Sequence, residues 1–232
     1  MRAAIMQPYF LPYPGYFQLI AAVDTFVVYD NIEYTKKGWI NRNRLLRDGQ
    51  AVTFSLPLKG ASDFLGIGER EVAADFNPAR LLNQFDGAYR KAPHREATLA
   101  LLERIVRFED RNLFRFLLHA LQVVCACLQI PTRLVTSSTV GIDHSLRKQD
   151  KVIALCKAVG ATTYVNAIGG VELYSRTGFA EQGLELKFIQ SAPFEYDQGG
   201  TAFVPFLSII DALMFNPLER VRAQVFDGYE LI

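Results

Sequence analysis

Residues 1–30, MRAAIMQPYFLPYPGYFQLIAAVDTFVVYD, decide the fold class. The apolar run at 3–6 stops at Gln7-Pro8 and has the length of a buried strand. A turn rich in proline and aromatics follows, and residues 16–23 fit a short helix. Residues 25–29, TFVVY, are β-branched and aromatic, end at Asp30, and read as a second buried strand. Strand, helix and strand so close together begin a parallel α/β sheet.

Outward from that opening, the polar stretch NIEYTKKGWINRNRLLRDG leads to a hairpin. Residues 42–46 and 51–58 are its strands, Asp48-Gly49 its turn, and Pro57 marks an edge. Residues 59–68 hold three glycines and read as a loop. Asn77-Pro78 pairs an N-cap with a proline at the first helical position, opening a helix to about Arg90. Residues 96–108 form a second helix, and Asp110 is read as the cap of a third, with apolar residues at helical spacing from Leu113 to Leu128. The sheet resumes at 133–137. Ser145 is placed as the cap of a helix to Val159, with Gly160 at its end. Residues 162–166 and 184–189 are strands, a short helix after Asn166 runs through Tyr174, and 203–215 contains the last buried helix. The expected architecture is a single α/β domain over 1–232. It is a Rossmann-like, mainly parallel sheet with a β-hairpin and a helical insertion at 77–130.

The chain has 232 residues, of which 50% are hydrophobic, 12% aromatic and 21% charged, with a formal net charge of +1. Such a chain builds a core rather than staying disordered. The near balance of charge argues against nucleic acid as a partner. Three cysteines, Cys125, Cys127 and Cys156, are too few and too odd for a disulfide framework. The start does not read as a secretory signal, and no apolar run is long enough for stable membrane insertion. These features lead us to expect a cytoplasmic protein. No metal site is expected, because the histidines lack ligand spacing and Cys125 and Cys127 face different ways on one helix. The sequence names no cofactor.

Ligands of open α/β sheets sit beyond the carboxyl ends of the strands. There the sequence places Gln7 and the stiff turn Pro8–Tyr16, with Tyr16 and Gln7 as substrate-binding candidates. Asp30, at the end of the second strand, faces the same cleft and is the preferred acid/base. The basic run Lys36, Lys37, Arg42 and Arg44 follows it, with Trp39, Asn41 and Asn43 interleaved. Guanidinium groups match carboxylate and phosphate oxygens in pairs, which makes Arg42 an anion-binding candidate. Asp143–Lys151 puts three cations in the first turns of a helix, where the macrodipole disfavours them unless an anion binds. Lys148 is the candidate ligand there and His144 a second acid/base. Asn166-Ala-Ile-Gly169-Gly170 joins a strand to a helix, and its paired glycines permit a backbone nest around an anion. Asp211, amid LSIIDALMF, is either a titrating carboxylate or part of a capping box begun by Ser208.

The chain resembles the WbqC-like family of bacterial proteins. The resemblance rests on IMQPYFLPYPGYFQLI, DTFVVYDNIEYTKKGWINRNRL, YRKAP, KQDKVIALCKAVGATTYVNAIGGVELY, the closing YDQ, and FVPFLSIIDALMFN. It implies a transferase of surface-polysaccharide (O-antigen type) biosynthesis, with acyl or aminoacyl (glycine) transfer to an amino sugar as one suggested reaction. The implied partner is an anionic small molecule, a nucleotide-linked or lipid-linked sugar. The opening is also similar to that of the HIGH-type nucleotidylyltransferases, with Tyr13-Pro14-Gly15-Tyr16 where those enzymes carry two histidines. That similarity implies nucleotidyl transfer or adenylate formation. The reading from another class is a non-catalytic nucleotide- or sugar-binding scaffold of the same pathway.

Overall fold

A computed structural model describes residues 1–36, 38–60, 64–200 and 202–232. Its frame is a six-stranded sheet in the order β5-β2-β1-β6-β7-β8. The strands are β1 (Arg2–Met6), β2 (Thr25–Val28), β5 (Arg133–Thr136), β6 (Thr163–Ala167), β7 (Glu185–Ser191) and β8 (Tyr229–Leu231). The first five are parallel and β8 runs antiparallel to β7 at one edge. The hairpin strands β3 (Arg42–Arg47) and β4 (Gln50–Ser55) form a separate antiparallel sheet. The α/β class, the mainly parallel sheet and the hairpin are thus as expected from the sequence. Asp48 and Gly49 both adopt positive φ, 53° and 73°, the conformation a tight two-residue hairpin turn requires.

The central strands are buried on both faces, which is why they read as apolar runs without alternation. Ala3, Ile5, Val27, Tyr164 and Phe188 pack on one side beneath α5 (Lys148–Ala158) and α6 (Arg176–Ala180). Ala4, Phe26, Val28, Val165 and Ile189 face the other side. There they meet α1 (Pro14–Ala21), α4 (Leu113–Leu128), α7 (Ile209–Phe215) and α8 (Leu218–Asp227). Between the hairpin and β5, α2 (Pro78–Ala88), α3 (Arg95–Val106) and α4 join this second core. Phe10, from the turn after β1, is fully buried and ties the parts together, with Phe54 of the hairpin at 5.8 Å and Phe116 of α4 at 6.2 Å between ring centroids.

Several boundaries differ from the expectation. Asn77 caps α2 as read, accepting from the amides of Ala79 and Arg80. The cap of α4 is Asn112, whose Oδ1 accepts from the Arg115 amide, while Asp110 bonds to the Asn112 amide one step earlier. Ser145 does not cap α5: its amide and hydroxyl both bond to Asp143 Oδ1, so the helix starts three residues later, at Lys148. After Asn166 the chain makes 3-10 turns over Ile168–Leu173. The apolar segment ending at Phe215 is not the last element, since α8 and β8 follow it.

Burial pushes the thiols of Cys125 and Cys156 up to about 12. Only about one thiol in ten thousand is then ionised at pH 8, and the thiolate is the reactive form. Iodoacetamide at pH 8, followed by mass spectrometry, should therefore leave both unmodified in the folded protein and label both after unfolding.

Candidate functional site

The five parallel strands end on one rim, and their order reverses between β1 and β6, the position where open sheets part to admit a ligand. Gln7 follows β1, Asp30 closes β2, Ser137 follows β5, and Asn166-Ala167-Ile168-Gly169-Gly170 ends β6. Neighbouring strands lie about 4.8 Å apart, so Asp30 and Asn166 bracket roughly 10 Å of rim with Gln7 between them. The structure therefore brings Gln7, Asp30, Asn166 and the Gly169-Gly170 turn to a common edge.

Asp30 is held by the turn after β5. Its Oδ1 accepts from Ser137 Oγ at 2.7 Å and the Ser138 amide at 2.9 Å, and its Oδ2 from Ser138 Oγ at 2.5 Å. Ser137 Oγ also lies 2.7 Å from Asn31 Oδ1. Asn31 Nδ2 in turn meets His144 Nδ1 at 2.9 Å, and His144 Nε2 meets the Val140 carbonyl at 3.1 Å. A carbonyl only accepts, so the proton sits on Nε2 and Nδ1 accepts from Asn31. Both ring nitrogens of His144 are thereby occupied. Ser137 Oγ has one proton for two acceptors, Asp30 Oδ1 and Asn31 Oδ1. Asn31, with His144 behind it, therefore shares the hydroxyl that serves Asp30 rather than extending an unbroken relay.

Beside Asp30 lies the start of α5. Arg147 occupies the cap position with no side-chain capping bond, and Lys148 opens the helix at φ 50° with its side chain exposed. One turn on, Lys151 is only 5% exposed, with its ammonium 5.6 Å from the centre of the Tyr29 ring. Burial and the neighbouring Arg147 guanidinium push Lys151 below the usual lysine range, and the Asp30 carboxylate pulls it back.

Across the reversal, Asn166 is 6% exposed and its amide lies against the backbone of Gly170. Neither Gly169 nor Gly170 has positive φ, so the expected nest of alternating backbone conformations does not form. Gly170 instead leaves room for Asn166: a Cβ there would sit 2.2 Å from Asn166 Nδ2, whereas one at Gly169 would meet nothing within 4 Å. Gly170→Ala should cost about 1–3 kcal/mol of stability by overpacking. Gly169→Ala should cost far less, and urea unfolding of both variants checks the difference.

On the other side of β1 the rim opens into a crevice of about 440 Å³. Its walls are rich in aromatic residues, Tyr13, Phe194, Tyr196 and Phe206 among them, joined by Ile168 and by polar groups such as Gln18 and Ser191. Gly15 makes this junction possible, because a Cβ there would lie 2.4 Å from the Tyr13 ring and 3.1 Å from Ser191 Oγ of β7.

Comparison with known proteins fits this picture. The sequence profile of the WbqC-like protein family matches residues 7–223. The chain belongs to the WbqC-like family. A Mycobacterium tuberculosis protein, "Uncharacterized protein Rv1507c", is 30% identical to it over 221 residues, 93% of each chain. No solved structure matches it.

The remaining candidates of this WbqC-like protein are placed less uniformly. Tyr16 is 3% exposed and donates its hydroxyl to the Gln7 carbonyl at 2.6 Å, so it latches α1 to the turn after β1. Asn43, 5% exposed, donates to the carbonyls of Phe10 and Leu11, where Leu11 has φ 47°. Its amide holds an unfavourable turn rather than pointing into open space. Trp39 is 40% exposed, with the guanidinium of Arg44 5.3 Å and that of Arg42 6.0 Å from its ring centre. Arg42 Nε donates to the Gly38 carbonyl, and Arg44 donates to the carbonyl of Phe206 at the crevice wall. The hairpin thus adjoins the crevice through Arg44. Lys37 lies outside the described residues.

Asp211 is neither exposed nor part of a capping box. Ser208 Oγ caps α7 at the Ile210 amide, while the Asp211 side chain turns into the core at 0% exposure. There its Oδ1 accepts from Tyr89 at 2.8 Å and its Oδ2 from Tyr196 at 2.7 Å and Gln198 at 2.8 Å. Among the described residues no group of three or more His, Cys, Asp or Glu gathers to hold a metal, and no helix is long and apolar enough to cross a membrane. Sequence reasoning passed over Lys151, Ser137 and Asn31. Lys151 had a readable signal: it stands four residues before the buried Leu155, on the apolar stripe of α5.

Proposed function

We propose that this WbqC-like protein is a transferase of bacterial surface-polysaccharide biosynthesis that binds a nucleotide-linked or lipid-linked amino sugar across the C-terminal rim of its sheet. The observation that carries this reading is the strand-order reversal, where Gln7, Asp30 and Asn166 lie along one rim. Ile168 continues that rim to an aromatic crevice of about 440 Å³, and Asp30 lines a separate cavity of about 460 Å³ with Asn31 and Glu33. Polar groups fix orientation beside an apolar enclosure, as small-molecule sites require. The crevice suits the less polar part of the ligand, and the cationic start of α5 with Lys148 suits its charged part.

Acyl or aminoacyl transfer fits the residues at hand. The sugar amine attacks the donor carbonyl, a C–N bond forms, and the bond to the leaving group breaks. The proton of the attacking amine passes to Asp30, whose carboxylate is oriented by Ser138 and by the Ser137 hydroxyl that it shares with Asn31. Trp39, just before the hairpin, and Arg42, at its first strand, lie near Arg44, which reaches the crevice wall at Phe206, and are available to the sugar or its charged substituent.

The test is incubation with a panel of nucleotide-linked amino sugars and acyl or aminoacyl donors, read by mass spectrometry. The expected result is an acylated sugar nucleotide. Failure of every nucleotide-linked or lipid-linked sugar to bind or react overturns the reading. Pyrophosphate release from ATP or CTP in the same assay replaces it with nucleotidyl transfer.

A further inference from the structure

We propose that Lys151, together with the uncapped amides opening α5, is the anchor for a phosphoryl group of the ligand. The inference rests on the reading that the rim binds an anionic ligand, and it names the chemistry and the residue.

Lys151 is nine-tenths buried, yet among the described residues its ammonium makes no hydrogen bond and no ion pair within 4 Å. Its one close neighbour is the face of Tyr29. The stem is buried while Nζ still touches solvent, which leaves the charge open to a ligand, and a methionine would fill the same space. No group among the described residues pairs with the charge. A further donor set lies at the start of the same helix. The 11-residue helix α5 has no side-chain cap, and its first bonded amide is that of Lys151 itself, reaching the Arg147 carbonyl at 3.4 Å. The amides of Lys148, Gln149 and Asp150 are thus left for another acceptor.

An anion here answers both deficits and offsets the repulsion between Arg147 and Lys151. A tetrahedral phosphoryl group has enough oxygens to reach the ammonium and the helix amides together, which a planar carboxylate does less well. The carboxylate facing this subsite is Asp30, and its oxygens are already engaged by Ser137 and Ser138. The shared group is the phosphate of a nucleoside diphosphate or of a lipid phosphate.

Calorimetric titration with inorganic pyrophosphate tests the anchor in wild type, Lys151→Met and Lys151→Arg. Wild type is expected to bind at millimolar concentration or better. Lys151→Met should bind at least about ten-fold more weakly, with a Tm equal to or above that of wild type, and Lys151→Arg should recover most of the affinity. A lysine serving only the fold gives the opposite pattern, with Tm lost and affinity kept. Wild type that ignores pyrophosphate, or Lys151→Met that binds it equally well, overturns the anchor. If Lys151→Met still binds a nucleotide-linked sugar as wild type does, the anchor falls and the rim reading stands. If pyrophosphate binding depends on Lys151 but no sugar-linked ligand binds, the anchor stands and the rim reading falls. Parallel titrations with uridine diphosphate and with a short polyprenyl phosphate separate the two sources of the group.

Discussion

Asp211→Ala is expected to destabilise the protein by about 3–5 kcal/mol, enough to remove much of the stability of an ordinary domain. The side chain is wholly buried and ties α7 to two other segments: Tyr89 at the end of α2, and Tyr196 and Gln198 in the loop before α7. Tyr89 is itself tied to the hairpin, because its hydroxyl accepts from the Leu46 amide at 2.9 Å. Gln198 cannot simply turn round, since its Oε1 already accepts from the Val204 amide. Removing the carboxylate therefore strands the Tyr89 hydroxyl proton in the core and takes an acceptor from the half-buried Tyr196 and from Gln198, whose Nε2 keeps only the Val204 carbonyl at 3.2 Å. Each buried orphan costs about 1–3 kcal/mol before relaxation. Denaturant unfolding measures the total.

The same residue gives a pH signature. Burial outweighs the three hydrogen bonds and holds the Asp211 carboxyl above its ordinary value. The folded state thus favours the protonated form more than the unfolded chain does. Its contribution to stability is full below the unfolded value of about 3.9 and declines as pH rises through the raised folded value. Relative to Asp211→Asn, which does not titrate, wild type should gain most at acid pH, and the gap should shift against it towards neutrality. Unfolding curves for both at several pH values check the sign.

Asp30→Asn is expected to lower turnover about 100-fold or more while leaving the fold nearly intact, the range typical of losing a positioned acid or base. Asparagine matches the shape of aspartate and can still accept from the Ser138 amide through its Oδ1. It cannot take up the proton of an attacking amine. His144→Ala acts at one remove: it frees Asn31 Nδ2 and the Val140 carbonyl, which loosens the side chain that shares the Ser137 hydroxyl with Asp30, while the carboxylate keeps its chemistry. A smaller loss in kcat is expected there, and kinetics of the two variants on the same acceptor rank them. Equal, full activity of Asp30→Asn assigns the proton transfer elsewhere.

The order of these residues along the chain made the sheet legible. Apolar runs at 3–6 and 25–29, each closed by a polar residue, marked parallel strands and put Gln7 and Asp30 on one rim. The hairpin was legible because Asp48-Gly49 has the turn chemistry its geometry needs. What escaped was non-local. Asn43 looks like an exposed polar residue between arginines, yet it serves carbonyls some thirty positions back, at Phe10 and Leu11. Asp211 mimics a capping box in sequence, and only its partners 13, 15 and 122 residues away show that it faces inward. Ser145 is a good cap by type, but Asp143 engages it first, and the helix begins where a lysine takes a left-handed conformation. Local competition of that kind has no periodic signature. Lys151 was hidden among three cations, and only its place four residues before Leu155 marks it as the one the helix turns toward the sheet.

A crystal structure with a nucleotide-linked amino sugar soaked into the protein decides most directly whether the rim is the site. The account predicts the diphosphate at the rim, within hydrogen-bond reach of Lys151, with the remainder of the ligand passing Asn166 and extending into the crevice walled by Tyr13, Ile168 and Phe206. Density found instead in the polar cavity lined by Arg47, Arg90 and Lys91, with the rim untouched, would contradict it.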